Sequence, residues 1–524
     1  MPEQFFHGVS IVEVTSGPKQ ITTASTGVIG IVGTAPDSVA IAPATLSTGT
    51  VASNNALTFT AATPGALGNN ISIRFINPGI DSATINVLAA STTGPVLTAN
   101  GMTLASGSAS LNATVVSSVI TVSLATDTGG NVTSTASQVL AALAENSTIT
   151  ALVTTALTAG SNGSGAVAPF SQTYLQGGTD EAFPLNTPTL IAGSLAQAAQ
   201  LGTAGTLPQA LTDILNQTGA AVVVVRVAPG ISDSVTQANV IGGVDTNGHY
   251  TGMSALLGAQ SALGVKPRIL IAPGFTQNAN VLAALNVIAI RMSAIVFADG
   301  PNTTDAAAIQ YANTWGYNRV MMIDPGVLEY ANGVTQSFPA SAIAAGLQAL
   351  SDNTRGFWWS LSNQVVDGII GTTRNVDYAL NDPNCRANIL NNNNVSTIIN
   401  LDGYRFWGNR ALDGGFLCVR RTLDIVEDSI LQAHLWAVDR GITKTYLQDV
   451  SNSVNAYLKT LINLGAILGG TCWADPDLNS PDQIAQGKAY WNFSICPTYP
   501  CENPAFSCFI DNSYISELTT TQSN

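Results

Sequence analysis

Five apolar runs, each followed closely by glycine or proline and most of them separated by helix-length stretches, constrain this chain more than anything else in it. TLIAGS, AAVVVVRVAPG, PRILIAPGF, SAIVFADGP and RVMMIDPG follow one another between residues 189 and 326. NANVLAALNVIAIRM and TDAAAIQYANTWG fall between them. Strands that are apolar on both faces and alternate with helices predict a mostly parallel sheet covered on both sides, an α/β core. GVIGIVGTAP, residues 27–36, reads the same way and is expected to join that sheet from far away in the chain.

The separation is itself informative. From Val39 to Thr179 the only charged residues are Arg74, Asp81, Asp127 and Glu145, in a background of Thr, Ser, Ala, Gly and Asn. ALTFTAA, NISIRFI, ATINVL and SVITVSLA alternate like short strands, and TASQVLAALAEN carries a capping Thr135 or Ser137 before an apolar stripe of Val139, Leu140 and Leu143. The expected organisation is an N-terminal arm at 1–25, a first core strand within 26–38 and an inserted β-rich domain at 39–178. An α/β core at 179–393, a C-terminal α+β domain at 394–505 and a C-terminal arm at 506–524 complete it.

In the C-terminal region VSTIINLDGYRFWG predicts strand, turn and strand about Asp402-Gly403. Helices are expected from Thr422 to Asp439 and from about Thr445 to Ile467, then strands in KAYWNFSI and AFSCFIDNSYISEL. Tyr404, Phe406 and Trp407 are expected to close a core or an interface, and Arg405 and Arg410 to pair with carboxylates.

Chemistry was sought at every candidate cluster. Gly27, Gly30 and Gly33 lack the GxGxxG spacing that brings backbone against a pyrophosphate, and QGKAY lacks the other residues of a P-loop, leaving Lys488 as a surface lysine. His249 and Ser254 suggest a serine hydrolase, but no G-x-S-x-G elbow surrounds them; His7 and His434 fall in a terminal strand and a helix. HExxH is absent, and Cys472, Cys496, Cys501 and Cys508 lack the C-x2-C spacing of a structural zinc site. The reading is therefore of no enzyme, no cofactor and no metal. A charged fraction of 10% and a net charge of −14 leave no basic surface for nucleic acid. No apolar run is long enough for a membrane span. All six cysteines lie in the last third, unlike a secreted disulfide framework, and no leader-like start is visible, so folding in cytosol is expected.

The ends carry a resemblance. FFHGVSIVEVTSGPKQITTASTGVIGIVGTAPDS, then FPLNTPTLIAG, VSTIINLDGYRFWGNRAL and FIDNSYISEL, taken in order, resemble contractile tail sheath proteins of myophages over about residues 5–37 and 180–518. The resemblance implies a core of the kind called subtilisin-like, here without a triad, and makes 39–178 similar to decorating domains of larger relatives. It also implies two terminal arms that exchange strands between subunits. Phe5, Phe6, Val9, Ile11, Val12 and Val14 would carry the first arm, and Phe509, Ile510, Tyr514 and Ile515 the second. Partners would be further copies of the chain, a tail tube protein, and baseplate and tail terminator proteins. The implied function is a virion sheath, assembled in host cytoplasm, that contracts to drive the tube through the host envelope. A headless bacteriocin-like or secretion-type particle is the rival reading, and a hydrolase using Ser254 and His249 the rival outside the structural class.

One tube-facing surface is suggested by spacing. Asp424, Glu427 and Asp428, three and four residues apart, share a helix face, with Arg420 and Arg421 beside them.

Overall fold

Ile29–Thr34 is buried along its whole length because it lies inside a sheet whose other strands come from far downstream. The computed structural model describes residues 21–79, 108–331 and 333–516. Eight strands run across the sheet in the order Tyr404–Trp407, Val395–Asn400, Val320–Ile323, Ile295–Asp299, Ile269–Ile271, Ile29–Thr34, Ala221–Val227 and Thr189–Ala192. The inner six are mutually parallel, and each outer strand is antiparallel to its neighbour. TLIAGS, expected within the parallel run, is thus an antiparallel edge. The hairpin turning at Asp402 and Gly403, both with positive φ, extends the core sheet instead of opening a separate region.

The glycines of the first strand serve packing. A Cβ on Gly30 would stand 2.9 Å from Leu270 and Pro267 side-chain carbons, and one on Gly33 would stand 2.4 Å from Thr206 Oγ1. On one face of the sheet Val32, Val223, Val225, Leu270 and Val296 pack against Leu282, Leu285 and Ala289 of the Ala279–Met292 helix and its surroundings.

The residues divide into two compact units. The smaller comprises Asp37–Pro184 with Gln200–Gly202. It holds a three-stranded sheet (Thr45–Thr48, Leu57–Ala61, Val153–Leu157) and a four-stranded one (Asn112–Val116, Val119–Ser123, Ser72–Ile76, Phe170–Tyr174). Phe59, Ile73, Ile120 and Leu143 are buried in its own core. The Ala136–Glu145 helix opens on a capping box between Thr135 and Gln138. Antiparallel bridges at Ala42–Thr179 and Thr45–Gln176 pinch the entry and exit of the segment together. ATINVL lies outside the described residues.

The C-terminal layer, part of the larger unit, differs from the expected boundaries. Its first helix is Leu417–Ala433, not 422–439, because the buried Leu417 and Cys418 already belong to the apolar face and a separate 3-10 turn, Leu435–Ala437, follows. The second is Lys444–Asn463: Gly465, at φ 76°, reverses the chain into the strand Ile467–Ala474, which pairs only with Trp491–Pro497 among the described residues. Residues 501–511 form no strand, and Asn512–Ser516 is a 3-10 turn. A strand there needs a hydrogen-bonded neighbour, and the described part of this chain offers it none.

Two acids are buried together in the larger unit. Gln209 Nε2 donates to Asp213 Oδ1 at 2.8 Å and to Glu329 Oε2 at 2.7 Å. Burial, then the Glu329 charge, raise the Asp213 pKa well above the ordinary carboxylate range. A pKa raised in the folded state gives stability that is complete below the unfolded value and is lost as pH rises through the folded one. Urea unfolding across that interval should show stability falling by about 1.4 kcal/mol per pH unit, and Asp213→Asn should remove this component.

Candidate assembly site

The Leu417–Ala433 helix alternates apolar residues with Arg420, Arg421, Asp424, Glu427 and Asp428, and its Ile425 and Val426 pack with Val454, Tyr457 and Leu461 of the Lys444–Asn463 helix. Its charges meet the α/β body. Asp424, 1% exposed, accepts from Arg319 Nη1 and from Arg420 Nη2, the latter at 2.7 Å. Asp428 accepts from Arg268 Nη2 and from Lys266 Nζ, the latter at 3.2 Å. Arg421 is paired to Asp352 at the end of the Ser341–Thr354 helix, and its Nη2 donates to Thr26 O at 2.8 Å. Lys266, Arg268, Arg319 and Thr26 all stand just before parallel strands, so the helix spans the amino edge of the sheet. Burial, with the Arg268 charge beside it, lowers Lys266 to about 8, and burial raises the Asp352 carboxyl above its usual range.

This placement corrects the proposed charged face. Asp424, Asp428 and Arg421 are turned inward and spent on pairs within the chain. They sit in the middle of the helix because it begins five residues earlier than expected. Glu427, half exposed, remains at the surface with the partly exposed Arg420, 3.5 Å away.

The arm residues fall in two groups. Phe5, Phe6, Val9, Ile11, Val12 and Val14 lie outside the described residues. Ile21 is buried against Phe357, Ile425, Val426 and Tyr457, and Ala24 N donates to Ser429 Oγ at 3.0 Å. At the other end, Thr498 Oγ1 donates to Gly465 O, Tyr499 packs edge-on to Phe416, and Arg410 pairs with Glu502 at 2.6 Å. Beyond that root Phe506, Phe509, Ile510, Tyr514 and Ile515 are all exposed, Ile510 by 92%. Both ends of the chain are thus rooted on one layer, the C-terminal helices and hairpin. Arg405, expected to find a carboxylate, donates instead to the carbonyls of Leu401 and Asn363.

The hydrolase pair does not assemble. His249 Nδ1 lies 3.4 Å from Asp245 Oδ2 on an exposed turn, and Ser254 sits in the 3-10 turn Gly252–Gly258 with no hydrogen bond to it among the described residues. No group of three or more His, Cys, Asp or Glu able to hold a metal occurs among the described residues. Cys385, Cys418 and Cys472 are buried; Cys496, Cys501 and Cys508 are exposed and free.

With that geometry in place, comparison decides the family. Residues 248–412 match the phage tail sheath protein central domain, and residues 413–511 match the phage tail sheath C-terminal domain. A putative prophage major tail sheath protein of Pseudomonas aeruginosa is 43% identical over 339 residues, 64% of this chain and 88% of that protein. The chain belongs to the phage tail sheath family. The tail sheath protein of Escherichia phage P2 is 34% identical, over 65% of this chain and 89% of its own length. A chain of the contracted anti-feeding prophage baseplate shares the fold, with a TM-score of 0.51 at 17% identity over 66% of this chain and 98% of that one. This sheath protein is accordingly a structural, contractile-sheath subunit and not an enzyme. It is a virion component assembled in the host cytoplasm.

Sequence reasoning missed Lys266, Arg268, Arg319 and Asp352. Each is a single charge beside an apolar strand or in an apolar helix, and that was the available signal. Removing one member of a buried pair leaves its partner charged and unpaired. Asp424→Ala is expected to cost about 3–5 kcal/mol in urea unfolding, whereas Glu427→Gln stays within about 1 kcal/mol.

Proposed function

We propose that this chain forms the sheath of a phage tail, polymerising around a tail tube and shortening to drive the tube through the host envelope for genome delivery. The observation that carries the reading is that residues 21–26 and 498–502 are both rooted on one layer, the latter leading into an exposed apolar segment without a strand partner among the described residues. An apolar segment of this kind is a hazard on a monomer and a bond in a lattice. The two-stranded sheet Ile467–Ala474 and Trp491–Pro497 has no third strand among the described residues, and Asn455 already holds Cys472 N and O on the first strand, so arms of neighbouring subunits would add most readily along Trp491–Pro497. Each added arm would contribute roughly 0.5–1.5 kcal/mol per ladder bond and about 1.5–3 kcal/mol per buried anchor such as Phe509. Ordering costs about 1–2 kcal/mol per residue, so the lattice is held by repetition.

The finer assignments follow from this reading. The core is taken as subtilisin-like in topology, without a triad, and residues 39–178 as an outward decoration between the core segments 26–38 and 179–393. The arm-bearing layer between the arms 1–25 and 506–524 is the part of 394–505 that follows the core-sheet hairpin, from Leu417 onward. A tube protein and a tail terminator are the remaining partners, with Glu427 and Arg420 the part of the suggested tube contact that the fold leaves accessible. A headless particle would use the same arms; genes for capsid and terminase beside this one distinguish the two.

Deleting residues 1–20 should leave a folded protein, because Ile29–Thr34 and its anchors remain, and should abolish tubes in negative-stain micrographs. Regular tubes from the truncated protein would refute arm exchange. Cys508 should react rapidly with a maleimide in the monomer and at least tenfold more slowly in tubes, while Cys501, outside both the arm and the receiving sheet, serves as the comparison. Replacing 39–178 by a short linker should leave tube formation intact, since the bridges Ala42–Thr179 and Thr45–Gln176 already close the segment on itself.

A further inference from the structure

The N-terminal segment is held by the C-terminal helix through contacts of two kinds. Ile21 is buried among apolar side chains, which resist separation but not sliding. Two directional bonds are added: Ser429 Oγ takes the Ala24 amide at 3.0 Å, and Arg421 Nη2 donates to the Thr26 carbonyl at 2.8 Å. Amide and carbonyl two residues apart point to one side of an extended stretch, so a slip of one residue presents the wrong side to both partners. Arg421 is fixed in turn by Asp352, whose other oxygen accepts Gln348 Nε2 at 3.0 Å.

This is a poor arrangement for stability alone. The Arg421 side chain is 2% exposed, and its Nε and Nη1 have no protein partner among the described residues. A buried pair of this sort is commonly matched or surpassed in stability by apolar residues of similar size, and its distinctive contribution is orientation. We propose that Arg421, held by Asp352, is a positioning residue for assembly: through Thr26 it fixes the register of the segment 21–28 on the helix. It thereby sets the point and direction from which the N-terminal arm reaches its neighbour.

The inference rests on the arm-exchange reading, and its test separates the two. Three proteins are compared at full length: wild type, Arg421→Lys, and the apolar pair Asp352→Leu with Arg421→Met. Melting temperature and circular dichroism report the fold, and negative-stain micrographs with power spectra of the tubes report the lattice. The apolar pair should melt within a few degrees of wild type while its tubes lose layer lines or fall at least tenfold in yield. Arg421→Lys, which keeps the charge but carries its ammonium on a shorter, freely rotating stem than the planar group whose Nη2 meets both Asp352 and Thr26, should give intermediate order. Should the pair variant fail to fold, Thr26→Pro provides the second arm: it keeps the carbonyl and both charged partners but restricts the backbone that presents it and removes the Thr26 side-chain bond to Asp352, and should also disorder tubes while melting within a few degrees of wild type. Wild-type order in the tubes of the folded variants overturns the positioning role and leaves arm exchange standing. Absence of tubes from wild type itself overturns both.

Discussion

Everything outside the inserted unit depends on charges buried where the Leu417–Ala433 helix crosses the amino edge of the sheet. Three carboxylates and five cations meet there at the cost of their hydration. An apolar seam would hold the helix but allow it to roll; pairs of fixed geometry do not. For a subunit that transmits force, the distinction matters. On the arm exchange proposed above, a pull on the arms would reach the body through these ion pairs. The chain joins the same edge again at Thr26, which ties the helix, the sheet and the segment 21–28 together.

Much of the core was legible in sequence because its signal is local. An uninterrupted run such as AVVVVRV can only be a strand apolar on both faces, and Gly or Pro after each run marks where the chain leaves the sheet. The insertion was legible for a different reason, the disappearance of charge at Val39 and its return after Thr179. What sequence did not yield depends on partners far away. Spacing placed Asp424 and Asp428 on one helical face correctly and could not tell that this face looks inward, because the cations that meet it from outside the helix come from two distant loops, before Ile269 and before Val320. Thr189–Ala192 reads like its parallel neighbours, and only its edge position makes it antiparallel.

The C-terminal segment is the opposite case. AFSCFIDNSYISEL alternates as a strand should, yet its described residues, 505–516, form none. Sequence pattern records what a segment does once paired, and a lone chain displays what it does without a neighbour. On the arm-exchange reading proposed above, this is the segment that a neighbouring subunit would complete.

The first strand has a consequence for the living cell. Ile29–Thr34 leaves the ribosome early, but the strands on either side of it, Ala221–Val227 and Ile269–Ile271, follow only after some two hundred residues. At about 5–20 residues per second the nascent chain must keep this apolar segment waiting for roughly 10 to 50 s. What emerges in the meantime is the Thr- and Ser-rich unit with a core of its own, able to fold without the waiting strand. Translation speed through that stretch, and any chaperone that shelters Ile29 to Val32, would then bear on how much of the protein reaches the tail.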